Sequence, residues 1–195
     1  MKHESRFGAV IVNYNCARYS VDAALSFLGA GGAAAVIVDN ASPDDSAAEI
    51  ARIIAGDAPH RSEGPADPLD RKAPRFASVE ELKQGALRLI RAPRNGGFAF
   101  GCNTGLRALA ANAGIDRFLL LNPDAVISAD ALAAFGARLD DGRAGLCGAT
   151  VVEFEAPHRV QCFGGAELDP VFLMGRNIGE GSSPLAPPSR RARSV

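Results

Sequence analysis

The sequence predicts an α/β fold, a mostly parallel sheet flanked by helices. Three observations predict it. Short apolar runs, Gly8–Val12, Ala33–Val38 and Phe118–Leu121, recur along the chain, and the first is rich in β-branched residues. Continuous apolar runs of this length suit strands buried on both faces of a parallel sheet. Segments with helical spacing lie between them, and strand–helix alternation is the mark of βαβ units.

Taken in order, Gly8–Val12 is the first strand. Val21–Leu28 carries apolar residues at helical spacing, with Ser20 as its cap. Ala33–Val38 is the second strand, and Asp44-Asp45-Ser46 opens a helix that runs to Ala55. Asp44 and Asp45 therefore read as capping residues. Gly56–Ala77 breaks the rhythm with Pro59, Pro65, Pro68 and Pro74 and many charges. A loop this long inside a compact domain is uncommon, and the segment reads as a disordered insertion. Leu87–Ile90 resumes the strands. Helices follow from about Phe100 to Ala113 and from about Asp130 to Leu139, on either side of Phe118–Leu121. From Gly181 the chain turns to Ser, Pro and Arg without a periodic apolar face, and disorder is expected there. The domain reading is thus one domain over 1–180, interrupted at 56–77 and followed by a tail over 181–195.

Composition narrows the function. The 195 residues are 47% apolar and 22% charged, with a net charge of -1. Such a balance gives no footprint for nucleic acid or a polybasic membrane anchor. Trp is absent and aromatics are sparse, which disfavours a base-stacking surface. No apolar run approaches the ~20 residues that span a bilayer, so no transmembrane segment is expected. The polar start, Met1–Arg6, and the early break at Asn13 do not read as a signal peptide. Cys16, Cys102, Cys147 and Cys162 form no CxxC pair and no metal-like spacing, so they read as reduced thiols in a cytoplasmic protein. His3, His60 and His158 do not cluster; His3 and His60 fall in segments expected to be mobile, and His158 in a solvated loop.

In open α/β sheets ligands bind at the carboxyl ends of the strands. There the sequence is polar four times over: Asn13-Tyr14-Asn15, Asp39-Asn40-Ala41-Ser42, Arg94-Asn95-Gly96-Gly97-Phe98 and Asn122-Pro123-Asp124. Asp39 is either a turn residue or a carboxylate that accepts hydrogen bonds from a ligand. Gly96-Gly97 lets the backbone approach a ligand, and the helix after it can aim its N-terminus at a diphosphate; a plain strand-to-helix turn needs the same residues. Asn103 is a mediocre helix former, explained by a polar contact or by a surface position. Asp124 offers a hard oxygen to Mg²⁺ or Mn²⁺, though Asn-Pro-Asp is also an ordinary turn.

Together these segments resemble the family 2 glycosyltransferases of GT-A fold, most closely the rhamnosyltransferase-like branch, from about Phe7 to about Gly179. The carrying stretches are Val10–Asn15, Val38–Ser42, Asn95–Ala99 with Gly101, Asn103 and Gly105, and Leu120–Asp124. The resemblance implies a nucleotide-sugar site built from Asn13, Tyr14, Asn15, Asp39, Asn40, Asn95, Gly97, Phe98, Asn103 and Asn122, with Asp39 on the base. It implies a divalent metal, Mg²⁺ or Mn²⁺, on Asp124, in the place of the family's DxD motif. Asn122 stands where that motif has its first acid. The implied partners are a dTDP- or UDP-sugar donor, such as dTDP-rhamnose, and a glycan or lipid-linked glycan acceptor. The implied setting is envelope polysaccharide synthesis, in the cytoplasm or peripheral at the inner face of the membrane. The family's catalytic base lies further on, in an acidic segment with no counterpart here; Glu167 and Asp169 resemble the region upstream of it. The chain is therefore expected to stop short of the base, or to leave the family's frame after about Gly179.

Rival readings are weaker or narrower. A Rossmann dehydrogenase needs GxGxxG after the first strand, and a sugar nucleotidyltransferase also carries its glycine-rich loop there, where this chain has Asn13-Tyr14-Asn15-Cys16. A non-catalytic nucleotide-sugar-binding module fits the missing base. An interaction domain whose polar strand ends are only turns predicts no nucleotide binding.

Overall fold

A computed structural model describes residues 6–62, 76–83 and 85–186. The described chain is α/β, with a four-stranded parallel sheet flanked by helices. The elements in order are β1 (Phe7–Asn13), α1 (Ala17–Gly29), β2 (Ala34–Asp39), α2 (Ser46–Ala55), a 3₁₀ turn (Val79–Glu81), β3 (Leu87–Arg91), α3 (Phe98–Ala110), β4 (Arg117–Leu120) and α4 (Ala129–Asp140). Four short strands follow: β5 (Thr150–Val152), β6 (Val160–Phe163), β7 (Ala166–Leu168) and β8 (Gly175–Asn177). Where the sequence reads as one domain, contacts divide the chain into two compact units. One is 1–64 with 74–132; the other is 65–73 with 133–195.

The first unit holds the sheet, in the order β3-β2-β1-β4 with every pair parallel. Its two central strands are buried along their whole length, as continuous apolar runs require. Alternate residues face opposite sides. Val10 and Val12 face α3: a side chain at Gly105 or Gly101 would collide with them. These two glycines are what lets the helix lie close on the sheet, a packing use that needs no unusual backbone angle. Asn13 faces the other way, onto Ser20 of α1, and α1 packs with α2. The sheet therefore has α1 and α2 on one face and α3 on the other, with Leu109, Cys102 and Ile115 completing the α3-side core. Burial pushes the Cys102 thiol pKa up.

Several local expectations are corrected. β4, expected to be buried on both faces, is an edge strand, with Phe118 and Leu120 exposed; β3 is the other edge. Four apolar residues in a row report hydrophobicity, not which neighbour covers them. Helix α1 starts before Ser20, with Cys16 at the cap position and no side-chain cap bond; Ser20 turns inward instead and donates to Asn13. Asp44 does cap α2 from one residue out: its carboxylate accepts from Ser46 N at 3.0 Å. The Ser46 side chain and backbone hold its pKa below the usual aspartate range. Residues 63–75 of the proline-rich insertion lie outside the described residues. At its start Gly56 ends α2 in the left-handed conformation. His60 is not a free loop residue: its Nε2 meets Asp22 Oδ1 of α1 at 2.8 Å, with the imidazole almost fully buried. His158 is exposed, as read.

The second unit contains two antiparallel hairpins, β5–β6 and β7–β8, absent from the sequence reading because strands of three or four residues show no periodicity. The backbone bond from Phe163 N to Ile178 O joins the two hairpins, and that from Ile178 N to Gly165 O extends the β7–β8 ladder. Val160 N donates to Ser182 O, and Gly181 N to Val160 O. Gly181 and Ser182, which read as the start of the tail, thus bond to β6; 187–195 lies outside the described residues.

Candidate functional site

All four polar segments sit in the first unit. Because every strand runs the same way, their carboxyl ends share one edge of the sheet. Asn13 lies opposite Asp39, and Asp39 opposite Arg91; β4 ends at Leu120, opposite Val10, before the row of Asn13 is reached. Strand order reverses at β1 and β4, the place where open α/β sheets leave a crevice.

The centre of this edge is a buried polar network. Asn13 is 0% exposed. Its amide donates to Asp39 Oδ1 at 2.7 Å and to Ser42 Oγ at 3.1 Å. Its oxygen accepts from Ser20 Oγ at 2.8 Å and from Cys16 Sγ at 3.4 Å. A primary amide has two donors and two lone pairs, so Asn13 is saturated by protein. It is a brace between β1, β2 and α1, with no polar capacity left for a ligand.

Asp39, 3% exposed, is different. Oδ1 accepts from Asn13 and from Ser42 Oγ at 2.6 Å, while among the described residues Oδ2 accepts only from Ser42 N, at 3.2 Å. A carboxylate oxygen can accept twice, so Oδ2 keeps one place open. The bond from Ser42 N makes Asp39 the turn residue of one reading without removing it from the other. Ser42 also accepts from Asn15 N at 3.0 Å, tying the first loop to the second. Asn15 and Ala41 both hold positive φ, 57° and 58°. For Ala that conformation costs about 1–2 kcal/mol, and the Ser42 bonds hold it. Ser42 and Ser20 are the functional residues that sequence reasoning missed. The three-residue spacing from Asp39 to Ser42, a local side-chain-to-backbone turn, was the available signal for Ser42.

Asn40, also 3% exposed, reaches to the third segment. Its amide donates to Asn95 Oδ1 at 3.0 Å and Gly97 O at 3.2 Å, and its oxygen accepts from Gly96 N at 3.3 Å. Asn95 Oδ1 also accepts from Gly97 N at 3.0 Å. Gly97 occupies the α3 cap position at φ 82°, where nothing lies within 4 Å of a would-be side chain. Only glycine takes that backbone readily. Having no side chain, Gly97 cannot cap the helix. The first-turn N–H groups of α3 are left for an anion, toward which the helix dipole also points. Tyr14, Asn15, Asn95 and Phe98 stand exposed around this edge, and Arg94 lies over the Phe100 ring, 5.7 Å from its centre.

Asn122 and Asp124 follow β4 in a turn closed by Ala125 N to Asn122 O at 3.1 Å. Both are exposed. Among the described residues no three His, Cys, Asp or Glu side chains gather into a metal-ligand set. The donor chemistry at Asp124, one exposed carboxylate, fits a divalent ion only where a ligand's oxygens and water supply the rest of its shell. Asn103 is exposed in the second turn of α3, off the Gly101–Gly105–Leu109 face; the surface explanation accounts for it. In the second unit, Asp169 Oδ1 accepts from the backbone N of Val171 and Phe172 at 2.8 and 2.9 Å. Those two bonds, Phe172 first, hold its pKa below the usual aspartate range. Among the described residues no helix is long and apolar enough to cross a membrane.

The chain matches no protein-family model, and no curated protein matches it in sequence.

Proposed function

We propose that the chain is the nucleotide-sugar-binding part of a family 2 glycosyltransferase of GT-A fold, of the rhamnosyltransferase-like kind. One observation carries the reading. An open carboxylate acceptor, Asp39 Oδ2, and an uncapped helix N-terminus, that of α3, are joined on one sheet edge through the adjacent residue Asn40. A ligand with an N–H-bearing heterocycle at one end and a diphosphate at the other uses both. Asp39 accepts from the base, and the N–H groups of Phe98 to Phe100 meet the phosphates. Tyr14, Asn15 and Phe98 form the exposed rim. Asn122 and Asp124 lie at the crevice beside β4, where Asp124 would hold Mg²⁺ or Mn²⁺ together with the diphosphate. When bound, such an ion neutralises charge on the leaving group.

The reaction of such an enzyme forms a bond from an acceptor hydroxyl oxygen to the anomeric carbon and breaks the bond from that carbon to the diphosphate, with inversion. The hydroxyl proton passes to an acidic base. Asp169 is a poor base, because its carboxylate is committed to two backbone N–H groups and its pKa is lowered. That favours a second reading: a module that binds the donor without transferring it. The donor is a dTDP- or UDP-sugar and the acceptor a glycan or lipid-linked glycan, with the protein in the cytoplasm or at the inner membrane face.

The test is thermal unfolding with UDP, dTDP, GDP and their sugars, with and without Mn²⁺, on the wild type and Asp39→Ala. A ligand at about a hundred times its dissociation constant stabilises by ~2.7 kcal/mol, a midpoint shift of roughly 5–10 °C for a chain of this size. A shift with one nucleotide, lost in Asp39→Ala, supports the reading. No shift with any of them removes it. Sugar transfer by the chain alone excludes the binding-only reading.

A further inference from the structure

We propose that Asn40 is a positioning residue, not a ligand contact, and that it sets the affinity of the anion-binding half of the site independently of the base-binding half. The inference rests on the nucleotide-sugar reading above. The sequence places Asn40 among the ligand-binding residues, yet its side chain is turned onto the protein. Both of its amide hydrogens and one lone pair of its oxygen go to three consecutive residues, Asn95, Gly96 and Gly97. Those residues form the approach to α3, and Gly97 is the residue from which the helix starts.

Within the loop the Asn95 side chain accepts from Gly97 N and Arg94 lies over Phe100, and Asn40 supplies the bonds that tie the loop to the end of β2. Gly96 and Gly97 are free of side chains, and Gly97 has a backbone angle open only to a flexible residue. A glycine pair loses more conformational freedom on ordering than any other, so the direction of the first-turn N–H groups depends on what grips the loop. Asn40 grips it through both carbonyl and N–H groups, from a position one residue beyond β2 that is itself anchored by Asn40 N donating to Asn13 O at 2.9 Å. Ser42 performs the equivalent service on the other side. It ties Asn15 N to Asp39 and fixes the carboxylate from Oγ and N. The exit of β2 thus braces two neighbouring loops with two different side chains, one for each end of an elongated ligand. Ser42 acts near the base and Asn40 near the phosphates.

This division gives opposite responses to two substitutions. The probes are uridine, UDP and inorganic pyrophosphate, or thymidine and dTDP in place of the first two if the thermal screen selects thymine. Binding is measured by calorimetry on the wild type, Asn40→Ala, Asn40→Ser and Ser42→Ala, and amide hydrogen exchange is followed from Gly96 to Gly101 without ligand. In Asn40→Ala, diphosphate-bearing probes are expected to lose about tenfold or more in affinity, and the nucleoside less than about threefold. Exchange of the Gly96–Phe100 amides should rise while that of β1 and β2 does not. Asn40→Ser, which keeps one donor and one acceptor, should fall between; it carries the test if Asn40→Ala does not fold. In Ser42→Ala the nucleoside should lose the larger factor. Equal losses for nucleoside and nucleoside diphosphate in the Asn40 variants, or unchanged loop exchange, overturn the positioning role while the nucleotide-sugar reading stands. Wild type that binds neither the nucleoside diphosphate nor pyrophosphate overturns both.

Discussion

The two compact units make opposite use of apolar residues. In the first, parallel strands lie between helices on both faces, and the βαβ connections that link the strands also cover them. In the second, two short hairpins have few partners. Among the described residues, Val160 is the only buried hydrophobic residue beyond Leu132, whereas nine of the fourteen exposed large apolar residues lie there. Val171, Phe172, Leu173 and Met174 are four in a row at the tip of β7–β8, each exposed by two thirds or more. That tip keeps its shape through polar backbone bonds to Asp169, and Leu173 sits at φ 53°. The first unit is held by packing and the second by local hydrogen bonds, so they should fail under different stresses.

The largest difference should appear on truncating a side chain. Phe27 is fully buried in α1, and Phe27→Ala should destabilise the first unit by about 3–5 kcal/mol in urea unfolding followed by far-ultraviolet circular dichroism. A cost under about 1 kcal/mol would break the comparison from that side. Next comes the polar brace. Asn13→Ala strands Ser20 and part of Asp39 in a buried setting, at about 1–3 kcal/mol, and should abolish the nucleotide-induced thermal shift even though Asn13 touches no ligand. A variant that is destabilised yet keeps the full shift would show that Asp39 does not need the brace.

Acid should act on the second unit at its hairpin tip. The Asp169 pKa is depressed in the folded chain by backbone N–H groups. Its contribution is therefore present above the ordinary aspartate value and is lost as pH falls through the lower folded value. Amide exchange at Val171 and Phe172, corrected for intrinsic rates, should accelerate across that window, and Asp169→Asn should blunt the response. Asp44 predicts the same sign at the start of α2. Exchange at Val171 that shows no change as pH falls from neutral into the acid range would mean the tip is held by something other than the carboxylate. Smallest of all, Leu146→Ser and Phe172→Ser should change stability by no more than about 0.5 kcal/mol, since both side chains stand in solvent. A loss comparable to that of Phe27→Ala would show that these side chains are buried in solution.

Much of the first unit was legible. Val10–Val12 and Val36–Val38 suit strands buried on both faces because their short apolar runs are rich in β-branched residues, and β1 and β2 lie where they were placed. The polar stretches after the strands marked the edge where Asp39, Asn40, Gly97 and Asp124 sit. The hairpins β5–β8 were not legible: at three or four residues, with no apolar alternation, Thr150–Val152 or Gly175–Asn177 carries no signal that a loop lacks. Nor was Ser20, which sits at a helix start in the sequence and beneath a strand end in space.

What the sequence determined by itself is local. In the first unit it set which segments are strands and helices, that the sheet is parallel, and that the strand exits are polar, because side-chain size, branching and polarity act on the nearest few residues. What only the tertiary structure decided is how the polar residues divide their work. Asn13, Asp39 and Asn40 look alike as strand-end polar groups. Yet Asn13 is saturated by partners 7, 26 and 29 residues away, besides Cys16 in its own loop, and Asn40 gives both amide hydrogens and one lone pair to a loop that begins 55 residues on, while Asp39 keeps an open acceptor on Oδ2. Hydrogen-bonding capacity is finite, and strand register, not sequence neighbourhood, determines which partner reaches it first.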